Sequence, residues 1–444
     1  MKQNIWTPQF WQQQFLSLDS NMRNVLKNSL SSAFVRVGGM FATMLFSVFL
    51  GRTLGADGMG VVNLANRIVN LLLVVVLCGM PTAIIKESSI SYSNFNWKEA
   101  NGVIRSAKWF STIFSLVLIV IGIACSEWLC LHVFHEPRLT LPLIITLISL
   151  LPQVLTRIDA SMLNGFRKIW QANLFENALA SLIVLFIIMI IYLANIEISI
   201  VNVSWAYALS KFFVSMVSAF LCRIQIPSDK REEKGSLEIK LLLRRSLPFF
   251  LSSAVSVIAM NIDGIMIGWF SSSRELGLYA AATNLALLMS FFMSVASSAL
   301  NPHIASLHVS GKLKELEKML QRVTLILIVL GLLSGLFFVF FGKFILSIWG
   351  KEFEDAYQML LVLCLGQFVN VSTGCVGSVL VMCGCEKIEA KILLISLTSN
   401  VILNYLLISN YGALGAAFST TLTLSIAMLV RVGIVKKKLG ISMW

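Results

Sequence analysis

The chain has 444 residues, 57% hydrophobic and only 13% charged, with a net charge of +13. A soluble domain carries roughly 25% charged residues, so an apolar excess spread over the whole length marks an integral membrane protein and excludes a water-soluble globular domain. The basic residues lie scattered over many short loops rather than gathered on one soluble module, which speaks against nucleic acid as a partner.

A membrane-crossing helix needs about 20 apolar residues to cover roughly 30 Å of hydrocarbon. Taken in chain order, twelve such stretches are predicted near 30–50, 59–85, 108–127, 139–163, 173–194, 203–222, 246–270, 277–303, 323–342, 357–384, 391–409 and 413–433. No small-residue cleavage site follows the first stretch, so it is expected to remain as the insertion signal. Ahead of it, residues 1–29 set Trp6, Phe10, Trp11, Phe15 and Leu18 among polar residues. That pattern fits an interfacial segment or a loosely ordered tail equally well. The polar run 223–245 divides the stretches six and six, giving an N-terminal lobe over 30–222, a cytoplasmic linker and a C-terminal lobe over 246–433. Residues 434–444 form a tail.

Lys and Arg crowd into every second loop. With the N-terminus in the cytoplasm, the inner segments hold 26 of them and the outer loops five: Arg52, Arg138, Arg274, Lys343 and Lys351. The positive-inside rule then puts both termini in the cytoplasm. The halves also repeat weakly. GRTLGADGMG (51–60) matches GWFSSSRELG (268–277) at an offset of 217, and LNGFRKI (163–169) matches MCGCEKI (382–388) at 219. Six helices per copy is an even number, so the copies run parallel, with a cavity between them as the expected site.

Four basic residues, Arg36, Arg67, Arg157 and Lys211, lie inside the apolar stretches of the first half. A charge at the bilayer centre costs roughly 2.5–3.5 kcal/mol on insertion scales, so such residues usually face a protein interior or a wet cavity. In the second stretch Asn63, Asn66, Arg67 and Asn70 share one helical face. That face reads as cavity lining, or as helix–helix contact through Asn hydrogen bonds. In the sixth, Ser204, Tyr207, Lys211, Ser215 and Ser218 share another face. Arg36 is near enough to its helix end to snorkel. Arg157 faces away from Asp159 two residues on, and pairing with Glu176 fits it as well as a functional role.

The second half differs. Its one clear intramembrane ionisable group is Asp263, which suits proton or Na⁺ coupling or an ion pair with a first-half cation. Polar stripes run through Asn284, Ser290, Ser294, Ser297 and Asn301, through Gln367, Asn370 and Thr373, and through Ser396, Ser399, Asn400 and Asn404. Arg67 aligns with Asn284 across the repeat. A cationic half facing a neutral, hydrogen-bonding half suits a ligand with an anionic head and a hydroxyl-rich body, such as a sugar on a phosphate or pyrophosphate.

Catalytic signals are weak. The eight cysteines form no CxxC pair, and most sit in apolar stretches. His132, His135 and Glu136 lack a regularly spaced further ligand, so no metal is expected. No GxSxG, Walker A or HExxH pattern is present, so neither an enzyme nor a cofactor is expected, apart from a coupling H⁺ or Na⁺.

FLGRTLGADGMGVVNLA after the first helix is similar to the first-loop signature of bacterial polysaccharide (O-antigen, Wzx-type) flippases. NIDGIMIGWFSSSRELGLYAAATNL and LNYLLISNYGALGAAFSTTLT resemble their helix 7–8 region and helix 11–12 turn. The resemblance covers nearly the whole chain and extends to the multidrug/oligosaccharidyl-lipid/polysaccharide exporter superfamily. It implies an all-α, V-shaped, MATE-like transporter of two six-helix lobes in a bacterial inner membrane. It also implies an undecaprenyl-pyrophosphate-linked oligosaccharide as substrate, moved between leaflets by alternating access, with membrane lipids, a polysaccharide polymerase and a chain-length regulator as partners. Lipid II flippases of the superfamily use arginines of helices 1 and 2, comparable to Arg36 and Arg67. Their two extra C-terminal helices are missing from this twelve-stretch pattern. Two rival readings remain: ion-coupled efflux of a small amphiphile, and a membrane scaffold for cell-wall enzymes.

Overall fold

The computed structural model describes residues 20–195, 197–227, 230 and 239–444, with backbone alone at 20–30, 32, 33, 177 and 299. The aromatic pattern of Trp6, Phe10, Trp11, Phe15 and Leu18 lies outside the described residues. Every element among those residues is helical. In order they are α1 (Ser20–Leu77), α2 (Met80–Ser93), α3 (Trp97–Trp128), α4 (Thr140–Ile148), α5 (Leu150–Gly165), α6 (Ile169–Asn173), α7 (Leu179–Leu193) and α8 (Ile200–Ile224). The second half holds α9 (Ile239–Phe270), α10 (Ser273–Met289), α11 (Phe291–Val309), α12 (Leu313–Leu346), α13 (Tyr357–Ser372), α14 (Val376–Met382) and α15 (Glu386–Leu439). By length and composition seven helices can cross a membrane, or ten if each of three bent pairs counts as one span. The protein is therefore a multi-pass membrane protein.

The two longest helices are each broken by a glycine. Gly55 in α1 has φ 68° and ψ −178°. Gly412 in α15 has φ 57° and ψ −142°. This is backbone space in which a side chain is strained. Each break exposes the first N–H groups of a new helical run, and a carboxylate from elsewhere receives one. Glu352 Oε1 accepts from Ala56 N at 2.8 Å, and Glu275 Oε2 accepts from Ala413 N at 2.6 Å. Capping by an anion also complements the helix dipole.

The halves pack against each other through equivalent positions. A Cβ on Gly60 would meet Ser273 O, and one on Gly277 would meet Ala56 O. These glycines are 217 residues apart, the offset of the sequence repeat. Small residues here let the backbones approach closely, as at membrane helix interfaces generally. The same offset governs two ion pairs: Asp57–Arg138 at 2.6 Å in the first half and Arg274–Asp355 at 2.8 Å in the second. Position for position they are one contact with its charges exchanged. Bonds also cross between halves here. Ser273 Oγ donates to Glu136 at 3.0 Å, a counterpart of the Ala56–Glu352 bond displaced by one residue at the acceptor, and Arg52 Nε donates to Ile348 O at 2.7 Å. This end, around residues 51–58, 271–276 and 348–356, is closed by a near-two-fold clasp.

Away from the clasp the two seams differ. Along α1 and α2 against α9 the halves stay together: Leu64 packs on Gly268, Gly79 lies against Ser246 O and Phe250 N, and Arg245 donates to Glu87 at 2.7 Å. On the opposite seam, α1 before its break and α11 part from one another, leaving a cavity between them.

Some boundaries move. The run KLLLRR, expected in the linker, is already helical, so α9 begins at Ile239 rather than 246. Two loop cations are structural rather than topological. Arg431 is buried, holding Glu389 with a contact of 2.7 Å, and Lys108 pairs at 2.6 Å with the fully buried Asp159. Residues 441–444 also pack back: Ile441 and Met443 are buried, and Ser442 N donates to Glu317 at 2.7 Å.

Candidate functional site

The open seam holds a polar cavity of about 530 Å³ bordered by Arg36, Thr43, Glu176, Asn284, Ser290 and Ser294. Beside it runs an apolar groove, also about 530 Å³, lined by Val37, Phe41, Phe292, Leu333 and Phe337. Met40, Leu288 and Phe291 border both, so the two spaces share a wall. Inward, Glu176 also borders a chamber of about 290 Å³ with Asn70, Arg157, Ser253 and Asn261. It borders as well a niche of about 70 Å³ with Gln153, Thr156 and Lys211.

The four predicted cations have different surroundings. Arg36 is exposed, and its Nε donates to Asn173 Oδ1 at 3.0 Å. Lys211 is half-buried with its Nζ 5.0 Å from the centre of the Tyr207 ring, a cation–π contact. Arg157 forms an ion pair with Glu176 at 3.1 Å. Arg67 lies across Gly264 of α9 and donates to the carbonyl oxygens of Met260 at 3.2 Å and Asn261 at 3.5 Å. No described carboxylate lies within 4.0 Å of Arg36, Arg67 or Lys211.

Arg67 and its repeat equivalent Asn284 behave alike. Each reaches across the interface to the other half, Arg67 to Gly264 and Asn284 to Ser47 Oγ at 3.1 Å. Ser47 and Gly264 are again 217 apart. Where the first half has Ser, the second has Gly, and the missing side chain makes room for the guanidinium.

The polar stripes divide. Asn70 and Asn284 line cavities. Asn63 and Asn66 return their amides to the carbonyls of Met59 and Val62 at 2.8 and 2.9 Å and border none of the cavities above, so the expected continuous polar face is in part self-satisfied. Asn370 donates to Gln367 at 3.1 Å and is buried. Asn400 and Asn404, expected as cavity lining, are buried inside the second half around Asp263. Asp263 accepts from Asn404 Nδ2 at 2.7 Å, Thr420 Oγ1 at 2.7 Å and Tyr279 OH at 3.0 Å. These neutral donors, rather than a first-half cation within ion-pair distance, hold the carboxylate. Asn404 Oδ1 beside it has no hydrogen-bond partner.

Sequence reasoning missed Glu352 and the Lys108–Asp159 pair, and weighed Glu136 only as a metal ligand. The offset of 217 was the available signal for the clasp, since it maps Asp57 onto Arg274 and Arg138 onto Asp355.

A family profile described as "Polysaccharide biosynthesis protein" matches residues 25–308, well over half of the chain. The chain belongs to this family. A second profile, MatE, matches residues 248–406. The chain is 22% identical over 412 residues to a "Putative O-antigen transporter" of Shigella flexneri, covering 89% of the chain and 94% of that relative. It is 26% identical to "Capsular polysaccharide biosynthesis protein CapF" of Staphylococcus aureus, over 41% of the chain and only 47% of CapF, so the match spans about half of that relative's length. Its fold is similar to an inward-facing multidrug resistance MATE transporter, with TM-score 0.74, 15% identity and coverage of 92% and 99% of the two chains. It is also similar to the lipid II flippase MurJ in an inward closed conformation, with TM-score 0.73, 17% identity and coverage of 93% and 87%.

Proposed function

We propose that this protein is a flippase for a polyprenyl-pyrophosphate-linked oligosaccharide, a surface polysaccharide repeat unit, carried from the inner to the outer leaflet of a bacterial inner membrane. The observation that carries this reading is the shared wall between a cation-bearing polar cavity and an apolar groove in one open seam. A small hydrophilic solute needs no such groove, and an uncharged lipid needs no cation. A phosphorylated glycan on a lipid tail uses both at once. The relatives' names, an O-antigen transporter and a capsular polysaccharide biosynthesis protein, point the same way.

In this reading the pyrophosphate meets Arg36, Arg157 and Lys211, with Arg67 beyond them at the seam. The glycan lies along Asn70, Asn284 and the Ser stripe, and the tail stays in the groove. Dividing α1 at Gly55 and α15 at Gly412 turns ten spans into twelve, in two six-helix lobes with both termini in the cytoplasm. The clasp then lies outside, and the open seam faces inward. Opening the clasp and closing the seam moves the head across by alternating access. Asp263 supplies proton or Na⁺ coupling, and a polysaccharide polymerase and chain-length regulator act on the product. The protein is a transporter, with no bond made or broken.

Proteoliposomes carrying a fluorescent polyprenyl-pyrophosphate glycan test this directly. Accessibility of the glycan on the far side should rise with wild-type protein and fail to rise with Lys211→Ala or Arg36→Ala at equal protein levels. Equal rates for wild type and empty liposomes, together with extrusion of an amphiphilic dye, would replace this reading with efflux.

A further inference from the structure

We propose that Glu176 is a built-in stand-in for the cargo's phosphate, a specificity-determining residue that holds Arg157 while the cavity is empty and surrenders it when a pyrophosphate arrives. The inference rests on the flippase reading above and adds the residue that sets the charge of its site.

Among the described residues lining the polar cavity, the inner chamber and the niche, Glu176 is the sole acidic side chain, and it borders all three. The same lining carries Arg36, Arg157 and Lys211. Three cations and one anion leave a net charge of +2, which matches the two ionised oxygens of a pyrophosphate diester. A neutralised site would forfeit this match, and an uncompensated one would hold the head too tightly to release it.

The pair is built to exchange. Its side chains are 40% exposed at Arg157 and 19% at Glu176, so water and cargo can reach it. A partly exposed pair of this kind is weak. A pyrophosphate offers the guanidinium several oxygens, allowing the bidentate geometry that makes charge-assisted hydrogen bonds strong. The carboxylate sits on the π-helical turn Leu174–Ala178, between α6 and α7. Such turns are rare and recur at functional sites. Asn173, adjoining that turn, accepts from Arg36. One short stretch of chain therefore holds two arginines from two other helices, Arg36 at the polar cavity and Arg157 at the chamber and niche behind it.

The test uses the full chain in nanodiscs, with undecaprenyl pyrophosphate as probe. Glu176→Gln keeps the side-chain shape and removes the competing charge. It should bind the probe about 1.5- to fivefold more tightly, the range expected for a partly exposed ion pair, and should release it more slowly, lowering turnover. Glu176→Asp, which restores the charge, should return binding to the wild-type level, and Arg157→Ala should weaken it. A second arm titrates phosphatidylglycerol, where Glu176→Gln should give no comparable gain. If Glu176→Gln binds the probe no better than wild type, or gains equally for phosphatidylglycerol, the inference falls while the flippase reading stands. If wild type itself binds neither undecaprenyl pyrophosphate nor its glycan-linked diester, both fall. Thermal unfolding of each variant separates these outcomes from misfolding.

Discussion

Arg67 shows what a single residue reveals in the sequence and what it hides. Its place on a polar helical face and its alignment with Asn284 were both legible. Its partner was not, because backbone carbonyls leave no mark in a sequence and the space for the guanidinium comes from an absent side chain at Gly264. Gly264→Ala should therefore push Arg67 off the α9 carbonyls. Overpacking of this kind costs typically 1–3 kcal/mol, to be read as a lower unfolding temperature, and lipid transport should fall with it. Arg67→Lys should not restore function, since a point charge does not reproduce the planar fork. Asn63 and Asn66 show the converse. Their spacing was right for a cavity face, yet a short amide can bond to the preceding turn of its own helix, and periodicity alone does not distinguish the two.

At the scale of elements, the apolar runs located the spans because hydrophobic length is what a bilayer demands. Their bends were partly readable. Gly374, with φ 66°, separates α13 from α14, whereas the bend at Ser290 between α10 and α11 carries neither Gly nor Pro. The glycine breaks of α1 and α15 give the sharpest prediction. Gly55→Ala forces a side chain into strained backbone space at a cost of order 1–3 kcal/mol and directs its Cβ at Glu352 Oε1. Unfolding temperature should drop. Glu352→Gln, which keeps an acceptor but removes the charge opposite the helix N-terminus, should lower it less.

For the whole molecule, the repeat was visible at offsets of 217 and 219, and the structure shows the first of them organising the clasp. The worth of the exchanged pairs lies in the contact rather than its polarity. Arg274→Asp or Asp355→Arg alone should impair transport, and the two together should restore much of it, measured as a double-mutant cycle. Acid should loosen the same end. Arg138, which donates two bonds to Glu136, together with Ser273, holds the Glu136 carboxyl below the ordinary carboxylate range. A depressed pKa means the carboxylate is favoured in the folded, clasped form. Its stabilisation is present above the unfolded pKa and disappears as pH falls through the lower folded value. Protection against hydrogen exchange at residues 51–58 and 271–276, relative to the intrinsic rate at each pH, should fall below about pH 4, and Glu136→Gln should reduce that step.

The uneven seams carry a mechanical consequence. Arg67, Gly79 and Glu87 fasten the first half to α9 along a line running almost the depth of the molecule, while the facing edge gapes. The protein is bound like a book, with a spine on one side and its pages free on the other. Anything tethered to the bilayer must then come and go by the fore-edge. A bridge placed across the spine, for instance between cysteines at 87 and 245 on a background without native cysteines, should leave traffic running, whereas one tying 43 to 294 should stop it.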